Sequence, residues 1–127
     1  MPATIVDRRP VVVSDIVDVS GKTPVKLYTA PPNAKLVIRK VYIYNPDTSK
    51  HVVTLGELEM PVGGTPAWVK DKIVVRVAAD SLVVLGPDDL PADYVATTDP
   101  AKPHAWAAKL EASAGTPVKV KIECLLA

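Results

Sequence analysis

An all-β domain, built as a two-sheet antiparallel β-sandwich or jelly roll, is the fold class this sequence predicts, and three observations predict it. Thirteen prolines are spread along the chain; each fixes φ and removes a backbone donor, which disfavours long helices. Valine is abundant and phenylalanine absent, and β-branched side chains suit a pleated surface. Apolar and polar residues alternate with period two, most plainly over 118–126, where Val118, Val120, Ile122 and Cys124 point one way and Lys119, Lys121 and Glu123 the other. A chain of 127 residues suits one domain, which at this size buries roughly two thirds of its unfolded surface without metals or disulfides.

Residues 1–10 carry Asp7, Arg8 and Arg9 between prolines and read as an extended arm, leaving 11–127 as the sandwich domain. About eight strands are expected in it. The first, 11–19, is rich in valine, and the second, 25–29, leads into the phrase TAPPN. There Pro31 and Pro32 preset φ while Asn33 tolerates a left-handed conformation, so the chain reverses just before a long third strand over 35–44. That strand changes phase, because Leu36 and Ile38 occupy even positions and Val41 and Ile43 odd ones. A bulge near Arg39 and Lys40 would reconcile them; the alternative is that both faces are covered, with Tyr42 and Tyr44 packed against a neighbouring subunit or loop.

The fourth and fifth strands, 51–58 and 67–77, flank a Gly63-Gly64 turn signal, and the sixth is 81–85. Residues 86–104 then form a loop longer than most sandwich connections, containing Pro87, Asp88, Asp89, Pro91, Asp93, Asp99, Pro100 and Pro103. Prolines reduce the entropy lost when such a loop orders against a partner, so an intersubunit clasp is a sensible use of it. The seventh strand, 105–113, contains the helix-forming phrase AWAAKLEA, but Pro103 before it and Gly115 and Pro117 after it favour a strand. It is expected to form a hairpin with the eighth, 118–126, through a turn centred on Ala114, Gly115 and Thr116.

Fifteen basic residues against fourteen acidic leave a formal charge of +1, which lacks the broad positive field of a nucleic-acid binder. No apolar run approaches the roughly twenty residues that span a bilayer, and the first ten residues are too charged for a secretory signal, so a soluble, unprocessed chain with no membrane partner is expected. The single cysteine, Cys124, cannot form an internal disulfide and reads as a small buried hydrophobe. Asp88, Asp89, Asp93 and Asp99 lack the alternating order, sharp-turn glycine and terminal Glu of a calcium loop. His51 and His104 are far apart and without a motif partner, and no nucleophile elbow, P-loop or dinucleotide fingerprint occurs. The expectation is therefore no catalytic residue, no metal and no cofactor. Trp68 and Trp106 could present stacking platforms, but with no phenylalanine they are expected to fill the core; Tyr28 and Tyr94 admit the same two readings.

The blocks LYTAPPNAKLVIRKVYIYN, HVVTL, SLVVLGPDDL and KLEASAGTPVKVKIECLLA together resemble the small β-sandwich virion structural proteins of tailed bacteriophages and related viruses, over most of 27–127. The loop at 86–104 is longer and richer in proline than that group's usual connection. The resemblance implies a repeated, non-catalytic virion component, most directly a capsid decoration (cement) protein that bridges capsomers as a homo-oligomer, expected to be a trimer, with the major capsid protein or another virion protein as partner. On this reading Pro87, Asp88, Asp89, Pro91 and Tyr94 make subunit contacts, and Ile5, Arg8 and Arg9 dock the arm on the capsid. A phage tail or head-fibre component is the alternative within the class. A carbohydrate-binding module stacking sugars on Trp68, Trp106 or Tyr94 is the alternative outside it. The prolines further suggest resistance to heat.

Overall fold

A computed structural model of the chain describes residues 9–127, and every strand below lies within them. The ten strands are β1 (Val11–Val13), β2 (Val17–Val19), β3 (Val25–Thr29), β4 (Lys35–Asn45), β5 (His51–Glu59), β6 (Ala67–Val77), β7 (Ser81–Leu85), β8 (Tyr94–Ala96), β9 (His104–Leu110) and β10 (Val118–Leu126). They form two antiparallel sheets in a β-sandwich-like arrangement, and no helix occurs among the described residues. One sheet has six strands: β10 and β4 lie at its centre, β1 and β2 share the far edge of β10, and β7 and β8 share the far edge of β4. The other runs β3-β9-β5-β6. Period-two alternation supplies the core between them. Val118, Val120, Ile122 and Cys124 of β10 and Leu36, Ile38, Val41 and Ile43 of β4 meet Val53 and Leu55 of β5, Ile73, Val75 and Val77 of β6 and Trp106, Ala108 and Leu110 of β9.

The change of phase in β4 is resolved by a bulge where it was expected. Glu123 pairs with Lys40 but Cys124 pairs with Ile38, so Arg39 is the extra residue, and the inward set passes from even to odd positions across it. Asn33 has φ 61°, in the left-handed region that asparagine tolerates. Residues 105–110 are strand, as their flanking prolines and glycine indicated, and Trp106 is wholly buried within it, donating from Nε1 to the Leu36 carbonyl at 2.9 Å. That bond ties the two sheets together across the core.

Three expectations about connectivity are corrected. Residues 11–19 are two short strands rather than one. Between them Ser14 turns inward, donating from its N–H to the Ile122 carbonyl and accepting from the Ile122 N–H on Oγ, both at 2.9 Å. A hydroxyl thus replaces one rung of the β10 ladder, and Asp15 and Ile16 are exposed. Second, β9 and β10 do not form a hairpin: β9 pairs with β3 and β5, whereas β10 pairs with β1, β2 and β4. The connection arches from one sheet to the other, anchored by Ala114 N–H on the Ser20 carbonyl at 2.8 Å. Strands with a fully apolar inner face can meet across the sheet gap as well as side by side, and period two alone does not distinguish the two. Third, the loop over 86–104 is interrupted by β8, whose Tyr94 and Val95 pair with Val37 and Leu36, and by a parallel bridge from Thr97 to Pro32.

Candidate functional site

Of the sequence-predicted contact residues, Pro87, Asp88, Asp89 and Pro91 are exposed on the excursion between β7 and β8, along one edge of the six-stranded sheet. Asp89 caps this turn by accepting from the Gly86 N–H at 3.3 Å. Tyr94 belongs to β8 rather than to the loop, and it is exposed on the sheet's outer face. Arg9 is exposed just ahead of β1, whereas Ile5 and Arg8, with the rest of the expected arm, lie outside the described residues. The loop carboxylates do not converge on a shared centre: Asp93 pairs with Lys72 at 2.9 Å, Asp99 accepts from the Ala101 N–H, and Asp89 is taken by Gly86.

What the sequence did not single out is the outer face of the six-stranded sheet. The residues that alternate with the core set are not uniformly polar here. On β7, Leu82 and Val84 are exposed; on β4, Tyr44 is exposed and Tyr42 half-buried; on β1, Val11 and Val13 are exposed, and Ile16 beyond them is 65% exposed. Among the described residues Val62, Val69 and Val74 are the remaining exposed large hydrophobics. The register aligns the face in rows. Leu82 lies beside Tyr44 and Lys119, Val84 beside Tyr42 and Lys121, Lys40 beside Glu123 and Val13, and Tyr94 beside Val37, Leu125 and Val11. Ile16, Tyr42, Tyr44, Leu82, Lys119 and Lys121 line a shallow groove of about 290 Å³ on it. The face is thus mixed, with apolar residues on β7, β4 and β1 set around the charged side chains of Lys119, Lys121, Glu123 and Lys40.

Polar groups fix the geometry of this face. The Tyr42 hydroxyl donates to Glu123 Oε2 at 2.9 Å, and this bond to a carboxylate, with burial, pushes the phenol above its ordinary value. Lys121 Nζ stands 5.3 Å from the Tyr42 ring centre and Lys35 Nζ 4.6 Å from that of Tyr94, both within cation–π range. Lys119 pairs with Asp18 at 2.9 Å at the margin.

The two histidines lie near opposite ends of β5, His51 as its first residue and His104 on β9 opposite its last, Glu59, each among carboxylates. His51 is buried; its Nε2 is 2.7 Å from Asp47 Oδ2 and its Nδ1 2.9 Å from Glu111 Oε1. The Asp47 bond raises the imidazole pKa, burial opposes it, and Glu111 adds to the rise. Asp47 is lowered first by that same bond and further by the N–H groups of Thr48, Gly115 and Thr116, against a desolvation that raises it. Burial works to raise Glu111, but the Val52 N–H, its own N–H and His51 outweigh it and hold it below the ordinary value. Both ring nitrogens facing carboxylates is the arrangement of an imidazolium, and here it gathers the β4–β5 and β9–β10 connections into one polar knot. An open hollow of about 510 Å³ lies beside it, lined by Lys50, Val52, Arg76, Val77, Ala78, His51 and Glu111.

At the other end His104 contacts Glu57 through Nδ1 and Glu59 through Nε2, the latter at 3.3 Å, and Lys72 lies 3.8 Å from Glu57. Strict alternation along β5 brings Glu57 and Glu59 to the inner side, where Glu57 pairs with Trp106 and Glu59 with His104. These clusters were legible only as scattered charges; Asp47 four residues before His51 was the one local hint. Among the described residues no group of three or more His, Cys, Asp or Glu is arranged to hold a metal ion.

The tryptophans differ from one another. Trp106 is in the core as expected, but Trp68 is half-buried on the outer side of the four-stranded sheet, over Gly56, where any Cβ would lie 2.4 Å from its ring and 2.2 Å from the Lys70 carbonyl. Its Nε1 donates to Asp71 at 2.7 Å and Lys109 Nζ stands 4.2 Å from the ring centre. Neither indole therefore offers an open stacking face. Cys124 is buried, and desolvation pushes its thiol up to about 12.

Compared with known proteins, the chain matches no family model, no curated protein and no solved structure.

Proposed function

We propose that this chain is a structural protein of a virion, a capsid decoration or cement protein, that works by surface contact rather than by chemistry. One observation carries the reading: the outer face of the six-stranded sheet exposes Leu82, Val84 and Tyr44 beside a half-buried Tyr42 at one end and Tyr94 at the other, among Lys119, Lys121, Lys40 and Glu123. Such a face buries apolar area on a partner without any remodelling of the fold. The strand order supports it further. With β1 and β2 counted as one interrupted edge, and β7 and β8 as another, the order β1/β2-β10-β4-β7/β8 over β3-β9-β5-β6 reads as an eight-stranded jelly roll, an architecture used in viral shells and lectins.

On this reading the major capsid protein is the second partner, and copies bound at capsomer junctions reinforce the shell by avidity. The arm residues Ile5, Arg8 and Arg9 are its candidate contacts with the shell, and Pro87, Asp88, Asp89, Pro91 and Tyr94 its candidate contacts with sister subunits. The test is to add the purified protein to capsids and, separately, to tails of the virus that encodes it. Saturable binding to capsids, with a higher temperature of shell rupture, is expected. Binding to tails alone would move the assignment to a tail component, and binding to neither would overturn it.

A further inference from the structure

We infer that the outer face of the six-stranded sheet is a two-fold interface on which a second copy of this chain packs face to face. This deepens the proposed function by naming the occupant of that face, and it rests on reading the face as an assembly surface.

Size is the first argument. The sheet's strand residues, eleven in β4, nine in β10, three each in β1 and β2, five in β7 and three in β8, at about 4.8 Å between rows and about 3.3 Å each cover roughly 540 Å², just under the approximately 600–1,000 Å² per partner of a standard interface. Sheets packed in this manner align within about 30° of one another.

Charge and register are the second. Ile122 and Val41 pair at the middle of the face, with Lys121 and Tyr42 forming the row on one side and Glu123 and Lys40 the row on the other. An in-plane two-fold axis crossing the strands at Ile122 exchanges those rows. It sets Lys121 opposite Glu123 of the second copy and the Tyr42 ring opposite its Lys40, each contact being made twice, as an isologous interface requires. The same operation brings Leu82 toward Tyr94 of the second copy and Tyr44 toward its Val37, because Leu82 pairs with Tyr44 and Tyr94 with Val37 at opposite ends of β4. Leu82 and Tyr44 therefore meet apolar residues and Lys121 meets Glu123 beside the axis, while toward the strand ends Lys119 falls opposite Leu125 and Asp18 opposite Val11. The Tyr42 and Tyr44 surfaces left open within the monomer are covered in the pair.

The experiment is sedimentation velocity on the full chain across a concentration series, with Lys121→Glu, Glu123→Lys, the double exchange and Leu82→Glu as variants. A dimer with a dissociation constant at or below about 100 μM is expected, weakened at least about tenfold by either single reversal and restored by the double exchange. Leu82→Glu should give a monomer, with an unchanged far-UV spectrum showing that the fold is kept. A wild-type monomer at that concentration, a trimer, or a dimer indifferent to all four variants would overturn the inference. Dimers that bind neither capsids nor tails would instead refute the virion assignment and leave the two-fold pairing intact.

Discussion

Replacing Trp106 by Phe tests how the two sheets are held together. The indole is wholly buried and its N–H donates to the Leu36 carbonyl at 2.9 Å, so strand β9 of one sheet is bonded to strand β4 of the other. Phenylalanine removes the donor and shortens the ring. A buried acceptor that loses its partner costs about 1–2 kcal/mol. The missing ring volume, about 40 Å³ at about 24 cal/mol per Å³, adds about 1 kcal/mol. The expected loss is thus about 2–3 kcal/mol, a large part of the roughly 5–15 kcal/mol available to a domain. Urea unfolding followed by far-UV circular dichroism measures it directly, and the melting temperature should fall by roughly 8–12 °C. Trp68→Phe is the matched control, since that ring is half-buried on the outer surface. A loss below about 1 kcal/mol for Trp106→Phe, or one equal to that of the control, would refute the claim that this bond and this ring join the sheets.

Three further outcomes follow from the same geometry. The His51 pKa is raised, so the stability it contributes is fully present below the ordinary value of 6.5 and is lost as pH rises through the raised one. Urea midpoints of the wild type should decline over that interval while those of His51→Gln stay flat; parallel profiles would count against an imidazolium lock. Asp47 and Glu111 are lowered and act in the opposite sense, their contribution being lost as pH falls through their folded values. Gly56→Ala should destabilise by about 1–3 kcal/mol and alter Trp68 fluorescence, because the added methyl meets the Lys70 carbonyl at 2.2 Å; an unchanged melting curve would show that the close approach is not rigid. Cys124 should resist thiol reagents at pH 8 in the native protein and react only on unfolding, since burial holds the thiol up near 12; rapid native labelling would contradict the packing of β10.

Local chemistry was legible where a residue's own constraint decides the outcome. Asn33 after two prolines gave the left-handed turn, the phase change from Ile38 to Val41 gave the bulge at Arg39, and the alternation in β10 gave its inner face. Pairing partners were not legible in the same way. The strand ending at Leu110 and the one beginning at Val118 read as a hairpin because a Gly-Thr turn lies between them, yet whether such a turn closes a ladder or crosses between layers depends on which neighbours compete for each edge. The split at Ser14 was hidden because a serine hydroxyl standing in for a backbone rung leaves no periodic mark. β8 was hidden because three residues between prolines carry too little pattern to register. The outer face of the six-stranded sheet escaped for a related reason: Leu82, Val84 and Tyr44 belong to different strands, and only the register sets them side by side. The carboxylates around His51 and His104 likewise converge from separate segments.

The broken margins of the six-stranded sheet give it a grain. On one side the Ser14 interruption divides β1 from β2; on the other, the excursion through Pro87 and Pro91 divides β7 from β8. A foreign segment seeking to extend the ladder sideways meets a run of only three to five residues before the backbone turns away, too short a template for lateral growth. This sheet therefore gives little hold to extension along its own hydrogen-bonding direction; among the described residues the long free margin is β6 of the other sheet, eleven residues paired on one side with β5.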